Sequence, residues 1–161
     1  MKMIRLNVFI LSLGVLALLS AACHASGGDR PHSTSFVGKK WQMEKLTASP
    51  SIDWDIDGVK DTDIFALIDP CDKDDALMLR EDGIVIREGG AEKCDEDEDE
   101  QWEDGTWKYD DATSMLTFSK EGKLDVSKVL ESNSEKLVLE HHFKSTKGEE
   151  HVLTAVYRIK R

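Results

Sequence analysis

Five aspartates fall within eleven residues in "DWDIDGVKDTD", at Asp53, Asp55, Asp57, Asp61 and Asp63, with Gly58 after the third. Hard oxygen ligands at alternate positions, followed by a glycine that permits a sharp turn, match the opening half of a calcium loop. The twelfth position is Ile64, so the bidentate Glu that closes such a loop is missing. Calcium is the one cofactor the pattern suggests. A solvated acidic loop is the competing reading, and Trp54 within it needs a packing surface or a ligand.

The three cysteines divide by position. Cys23 follows "MKMIRLNVFILSLGVLALLSAA", in which Lys2 and Arg5 precede an uncharged apolar run and small residues close the segment. That order is a secretory signal, with an apolar run shorter than a spanning helix needs. "LSAAC" resembles a bacterial lipobox, so cleavage before Cys23 would leave a lipid-modified N-terminus; cleavage after Ala22 or Ala25 would instead release a soluble chain. With Cys23 lipidated, Cys71 and Cys94 remain as an even pair in an oxidising compartment, and a disulfide between them is expected. Two cysteines without neighbouring histidines do not make a zinc site.

Other candidates for chemistry are sparse. His141 and His151 fall on one face of the last hairpin, but no third ligand accompanies them. "CDEDEDEQWEDG" carries acids at every position from Asp95 to Glu100, and so dense a run repels itself and stays solvated. No nucleophile elbow or phosphate loop is present, and nothing selects a carboxylate pair, so the sequence makes no positive case for an enzyme. The chain has 161 residues and a net charge of −11; loss of residues 1–22 removes two basic residues and no acid, leaving −13 on 139 residues. That is enough chain for one core, and too acidic for a nucleic-acid partner or for adsorption to anionic lipid. Membrane attachment would come through the Cys23 lipid alone.

The elements that must position these residues are strands. After a polar tether at residues 23–35, alternating segments occur at residues 38–47, on both sides of Asp82-Gly83, and at 105–110, 114–120, 123–132, 136–145 and 150–160, separated by turn residues. An odd helical turn fits residues 61–69. In the last hairpin a three-residue loop with Gly148 sets Phe143 against His151, His141 against Leu153, Leu139 against Ala155 and Leu137 against Tyr157. In the first, Leu79 is expected to face Ile84. Eight antiparallel strands joined by short loops predict an all-β fold, an eight-stranded up-and-down barrel occupying residues 36–161.

"FVGKKW" (Phe36–Trp41), "DPCDKDDALMLREDG", the second cysteine and "GTW" (Gly105–Trp107) resemble the lipocalin-like domains of small secreted bacterial lipoproteins. The resemblance implies a lipocalin-type barrel open at one end, with capacity for a small apolar ligand. It further implies a base plugged by Trp41, with Arg158 the candidate for packing across it, although Gly38 and Trp41 are one residue further apart than the G-x-W of classical lipocalins. The inward rows expected to line the interior are Leu77, Leu79, Ile84, Ile86, Leu116, Phe118, Leu137, Leu139, Phe143 and Tyr157. The expected function is binding of a small hydrophobic molecule by a lipid-anchored protein of the bacterial cell envelope, at the outer membrane. The same residues could fill the barrel solid, because eight strands are just wide enough for either outcome. The protein would then act as a non-enzymatic surface module, with calcium as a stabilising ion.

Overall fold

The computed structural model describes residues 35–161. The signal segment 1–22, Cys23 and all but the last residue of the tether lie outside the described residues. The chain forms β1 (Lys40–Ile52), β2 (Asp61–Asp63), a 3-10 turn (Phe65–Leu67), α1 (Pro70–Lys73), β3 (Ala76–Leu79), β4 (Ile84–Glu88), β5 (Gln101–Asp110), β6 (Met115–Lys120), β7 (Lys123–Ser132), β8 (Lys136–Lys144) and β9 (Glu150–Ile159). Strands β1 and β3–β9 make one antiparallel sheet in sequence order, and β1 pairs with β9 from Trp41↔Ile159 to Ser49↔Val152, which closes it into an eight-stranded barrel. Closure leaves no free edge on this seam. β3 meets β1 only at Lys40–Gln42, and the short β2 takes up β1 again at Thr47–Ile52. The segment between β2 and β3 holds the helical turns expected near residues 61–69.

Two hairpins share one turn geometry and teach opposite lessons. In the last, Gly148 N–H donates to Ser145 O and Ser145 N–H to Glu149 O, and every expected pair from Leu137↔Tyr157 to Phe143↔His151 is present. In the first, Gly83 N–H donates to Arg80 O and Arg80 N–H to Ile84 O, so Leu79 faces Val85 and Leu77 faces Arg87. The expected Leu79–Ile84 pairing is off by one residue. A slip of one turns a strand over. Ile84 and Ile86 therefore lie with Met78 on the face away from the cavity, where Ile86 is nonetheless buried, and the residues of β4 that reach the cavity are Val85 and Arg87.

Of the register shifts in the sheet, two bear on the cavity. One between Met43 and Lys45 keeps both Met43 and Leu46 inward. The other shifts β4 against β5 between Ile84 and Ile86, opposite Gly105. Gly105 has φ +108°, and a Cβ there would sit 2.3 Å from the carbonyl oxygen of Ser119. Only glycine fits, and the kink turns Asp104 inward although Trp107 and Tyr109, in the other phase, also face inward.

The lower half of the barrel is solid. Phe36, Trp41, Leu79, Trp107, Leu116 and Leu137 pack together there, with Trp41, Leu79, Leu116 and Leu137 fully buried. Trp41 Nε1 donates to Phe36 O at 2.8 Å and Trp107 Nε1 to Arg80 O at 2.9 Å, so neither indole leaves a donor unmet. Phe36 stands edge-on to both Trp107 and Tyr109. Trp41 thus occupies the barrel base. Arg158 does not pack across it: paired with Gln42 on the outer face, it bridges to Glu44 at 2.9 Å, and the cation near the Trp41 ring is Lys39, 5.8 Å from its centroid.

Candidate functional site

Above this floor the barrel opens into a cavity of about 300 Å³. Of the ten residues expected to line the interior, Leu77, Phe118, Leu139 and Tyr157 do so. Leu79, Leu116 and Leu137 belong to the solid floor, where they touch side chains and not cavity space. Ile84 and Ile86 face outward for the reason of register given above. Phe143 stacks between His141 and His151, with ring centroids 6.2 and 5.5 Å away. It separates the two histidines, so they are not a metal pair. His151 is buried with Nδ1 3.0 Å from Pro50 O, a packing role.

The walls of the cavity are of two kinds. β1 and β9 contribute Met43, Leu46, Leu153, Ala155 and Tyr157, joined by Leu77, Val85, Phe118 and Leu139. Five consecutive strands opposite carry a polar arc, with Arg87 on β4, Asp104 on β5, Lys120 on β6, Asp125 on β7 and His141 on β8. Arg87 Nε donates to Asp104 Oδ2 at 2.9 Å, and Lys120 Nζ to Asp104 Oδ1. His141 Nδ1 lies 3.0 Å from Asp125 Oδ1 and 3.1 Å from Val126 O, and Ser127 Oγ donates to the same Asp125 oxygen at 3.3 Å. Of this arc, sequence reasoning singled out only His141; Arg87, Lys120 and Asp125 belong to no motif, and Asp104 read as the tail of the acidic run before a strand beginning at Gly105.

Burial acts on Asp104 in the direction that raises a carboxyl pKa, but hydrogen bonds and charge from Lys120 and Arg87 outweigh it, and the group is held below the usual carboxylate range. Tyr157 goes the other way. Desolvation pushes its phenol above the ordinary value against the attraction of Arg87, so it stays a neutral hydroxyl at physiological pH.

A second cavity of about 310 Å³ adjoins the first where β1 and β3 part, and shares Met43, Leu77, Arg87 and Tyr157 with it. Trp41 from the floor, Phe65 in the 3-10 turn and Ile68 just after it, Asp72 from α1 and Asp75 complete its wall. This side of the mouth is stapled. Cys71 in α1 is bonded to Cys94, with Cα atoms 5.2 Å apart. Asp75 Oδ1 accepts from Gly90 N–H at 3.0 Å, and Asp74 Oδ2 from Ala91 and Glu92 N–H. Burial raises the Asp75 pKa above the usual range despite the Gly90 bond.

Of the five aspartates expected as calcium ligands, Asp53, Asp55 and Asp57 come together, each with a carboxylate oxygen within 4.8 Å of the others. Asp61 and Asp63 are drawn off by β2, where they pair with Ile52 and Thr47. The three that gather accept backbone N–H groups of their own loop, from Gly58, Asp57 and Val59 respectively. Calcium takes about six to eight oxygens. The twelfth position, Ile64, is fully buried as a core residue, so this loop does not complete such a shell. Trp54, Ile56 and Val59 on the same loop are exposed.

A family profile described as "Lipocalin-like domain" matches residues 36–139. No curated protein matches the sequence. Among solved structures, a complex of bovine odorant binding protein with a selenium-containing odorant aligns at a TM-score of 0.40 and 10% identity, over 80% of this chain and 72% of that one. The same protein with undecanal aligns at 0.41 and 10%, over 83% and 77%.

The Asp104 triad makes a prediction about acid stability. A carboxyl whose folded pKa is depressed contributes stability above its unfolded pKa of about 3.9, and that contribution is lost as pH falls through the folded value. Asp104→Asn should therefore cost about 1.5–3 kcal/mol at pH 7 by urea unfolding, the range for hydrogen bonds to charged groups. The gap from the unsubstituted protein should close as pH drops below about 3.9. A gap of constant size across pH would show that the charge of Asp104 is not what matters.

Proposed function

Because the chain belongs to the lipocalin-like domain family, we propose that it is a non-enzymatic carrier or receptor that holds a small hydrophobic molecule in the upper half of its barrel. The observation carrying this reading is the division of the interior. The same closed sheet is packed solid around Trp41 and Trp107 and open above Leu77, Val85 and Leu139. A barrel of eight strands can be filled or hold one small ligand, and here each half takes one course. A pre-formed, mostly apolar concavity with a few polar groups is the usual form of a small-molecule site.

Export and anchoring are part of the proposal. The N-terminal segment ending in "LSAAC" supports delivery across a membrane and lipid attachment at Cys23, which would place the barrel in a bacterial cell envelope, at the outer membrane, behind the tether of residues 23–35. The Cys71–Cys94 bond agrees with an oxidising compartment. Metabolic labelling with a fatty acid should mark the protein and vanish in Cys23→Ala; labelling that survives the substitution contradicts the anchor.

Interior binding is tested by filling the space. Leu153 lines the cavity from β9, and Leu153→Trp should weaken binding of a neutral, environment-sensitive dye at least about tenfold while costing stability only about 1–3 kcal/mol from overpacking. Equal dye binding by a folded Leu153→Trp would move the site to the outer surface. The exposed row Leu124, Val126 and Leu130 on β7 would then be the place to look.

A further inference from the structure

We propose that the interior ligand is an amphiphile with an anionic head, a carboxylate or a group of like charge, held by Arg87 and Lys120 with its apolar tail against β1 and β9. The inference rests on the interior-binding reading and names the class of molecule. Its basis is the count of charges and donors around Asp104. Two cations share that single carboxylate, one on each oxygen, so the triad carries a net positive charge on the wall of the cavity. A guanidinium has five N–H donors and an ammonium three. Arg87 meets Asp104 through Nε, and its terminal amino groups are not the ones engaged there. Asp104 offers a single carboxylate to both cations, and an anionic head would give the terminal amino groups of Arg87 and the ammonium of Lys120 a further acceptor.

The surrounding groups settle where such a head would sit. On the far side of Arg87 the second cavity carries Asp72 and Asp75, which disfavour an anion. On the near side, Asp125 Oδ1 is already met by His141 and Ser127. That leaves the cavity side of Arg87 and Lys120, with Asp104 bound to both of them and Leu153 and Ala155 lining the same cavity. Charge-assisted hydrogen bonds in a partly enclosed site are about twice as strong as neutral ones, and bidentate contact with a guanidinium adds geometric selection. The cavity lining as a whole sets two cations, Arg87 and Lys120, against two carboxylates, Asp104 and Asp125, so the excess positive charge is confined to the Arg87–Asp104–Lys120 triad.

The test compares dodecanoate, dodecanol and dodecylamine as displacers of a neutral fluorescent dye from the purified protein at pH 7.5. Dodecanoate should bind at least about tenfold more tightly than dodecanol, the step expected of charge-assisted hydrogen bonds, with dodecylamine weakest. In Arg87→Gln and in Lys120→Gln the ratio of acid to alcohol affinity should shrink. Lys120 is the more exposed of the two, so Lys120→Gln carries the test if Arg87→Gln fails to fold. Equal binding of acid and alcohol, tightest binding of the amine, or an acid advantage untouched in both variants would overturn the anionic head and leave interior binding standing. Failure of the dye and all three displacers to bind would bring down interior binding itself, and this inference with it.

Discussion

Ring closure between β1 and β9 is the constraint from which the rest of this structure follows. Once eight strands are joined edge to edge, the interior has a fixed girth, and each level of it must be filled by inward side chains or left to a guest. Around Trp41 and Trp107 the two indoles pack with Phe36 and the floor leucines into the core of the barrel. Further along the strands Val85, Leu139 and Ala155 are among the smaller inward residues, and there the space persists. Plug and pocket are thus one choice of side-chain size made twice at different heights.

How much of this was legible in the sequence depended on turns. The register of β8 against β9 could be read outright because Gly148 marks a three-residue loop and the row Leu137, Leu139 and Phe143 is apolar, interrupted only by His141. The hairpin of β3 and β4 has the same loop, marked by Gly83, but its outward residues Ile84 and Ile86 are as apolar as its inward ones. Hydrophobicity then points to the wrong face, and only the turn geometry could have chosen Val85 and Arg87. Asp104 was hidden for a different reason. The bulge at Gly105 reverses the facing of β5, and a carboxylate next to a dense acidic run gives no sign that it is turned inward. The Trp41 floor was visible in "FVGKKW", whereas the role assigned to Arg158 failed because its outward facing was already implied by its pairing.

The electrostatics show why the interior charges are tolerated. Asp104, the half-buried carboxylate of the polar arc, has a cationic partner on each neighbouring strand, so the desolvation that burial imposes on it is met within the wall itself. Asp104 stays ionised between two cations, and Tyr157 stays protonated among apolar neighbours. The side of the barrel where β1 and β3 part lacks a continuous ladder. There the Cys71–Cys94 bond and the Asp74 and Asp75 contacts to residues 90–92 hold the mouth in place of strand pairing.

The division of the barrel into a filled floor and a receptive upper half is tested most directly by methyl NMR of the protein titrated with dodecanol. Resonances of Val85, Leu139, Leu153 and Ala155 should shift together and saturably, while those of Leu79, Leu116 and Leu137 stay largely still. Shifts confined to Leu124, Val126 and Leu130 on the outside of β7, with the interior methyls unmoved, would contradict the account.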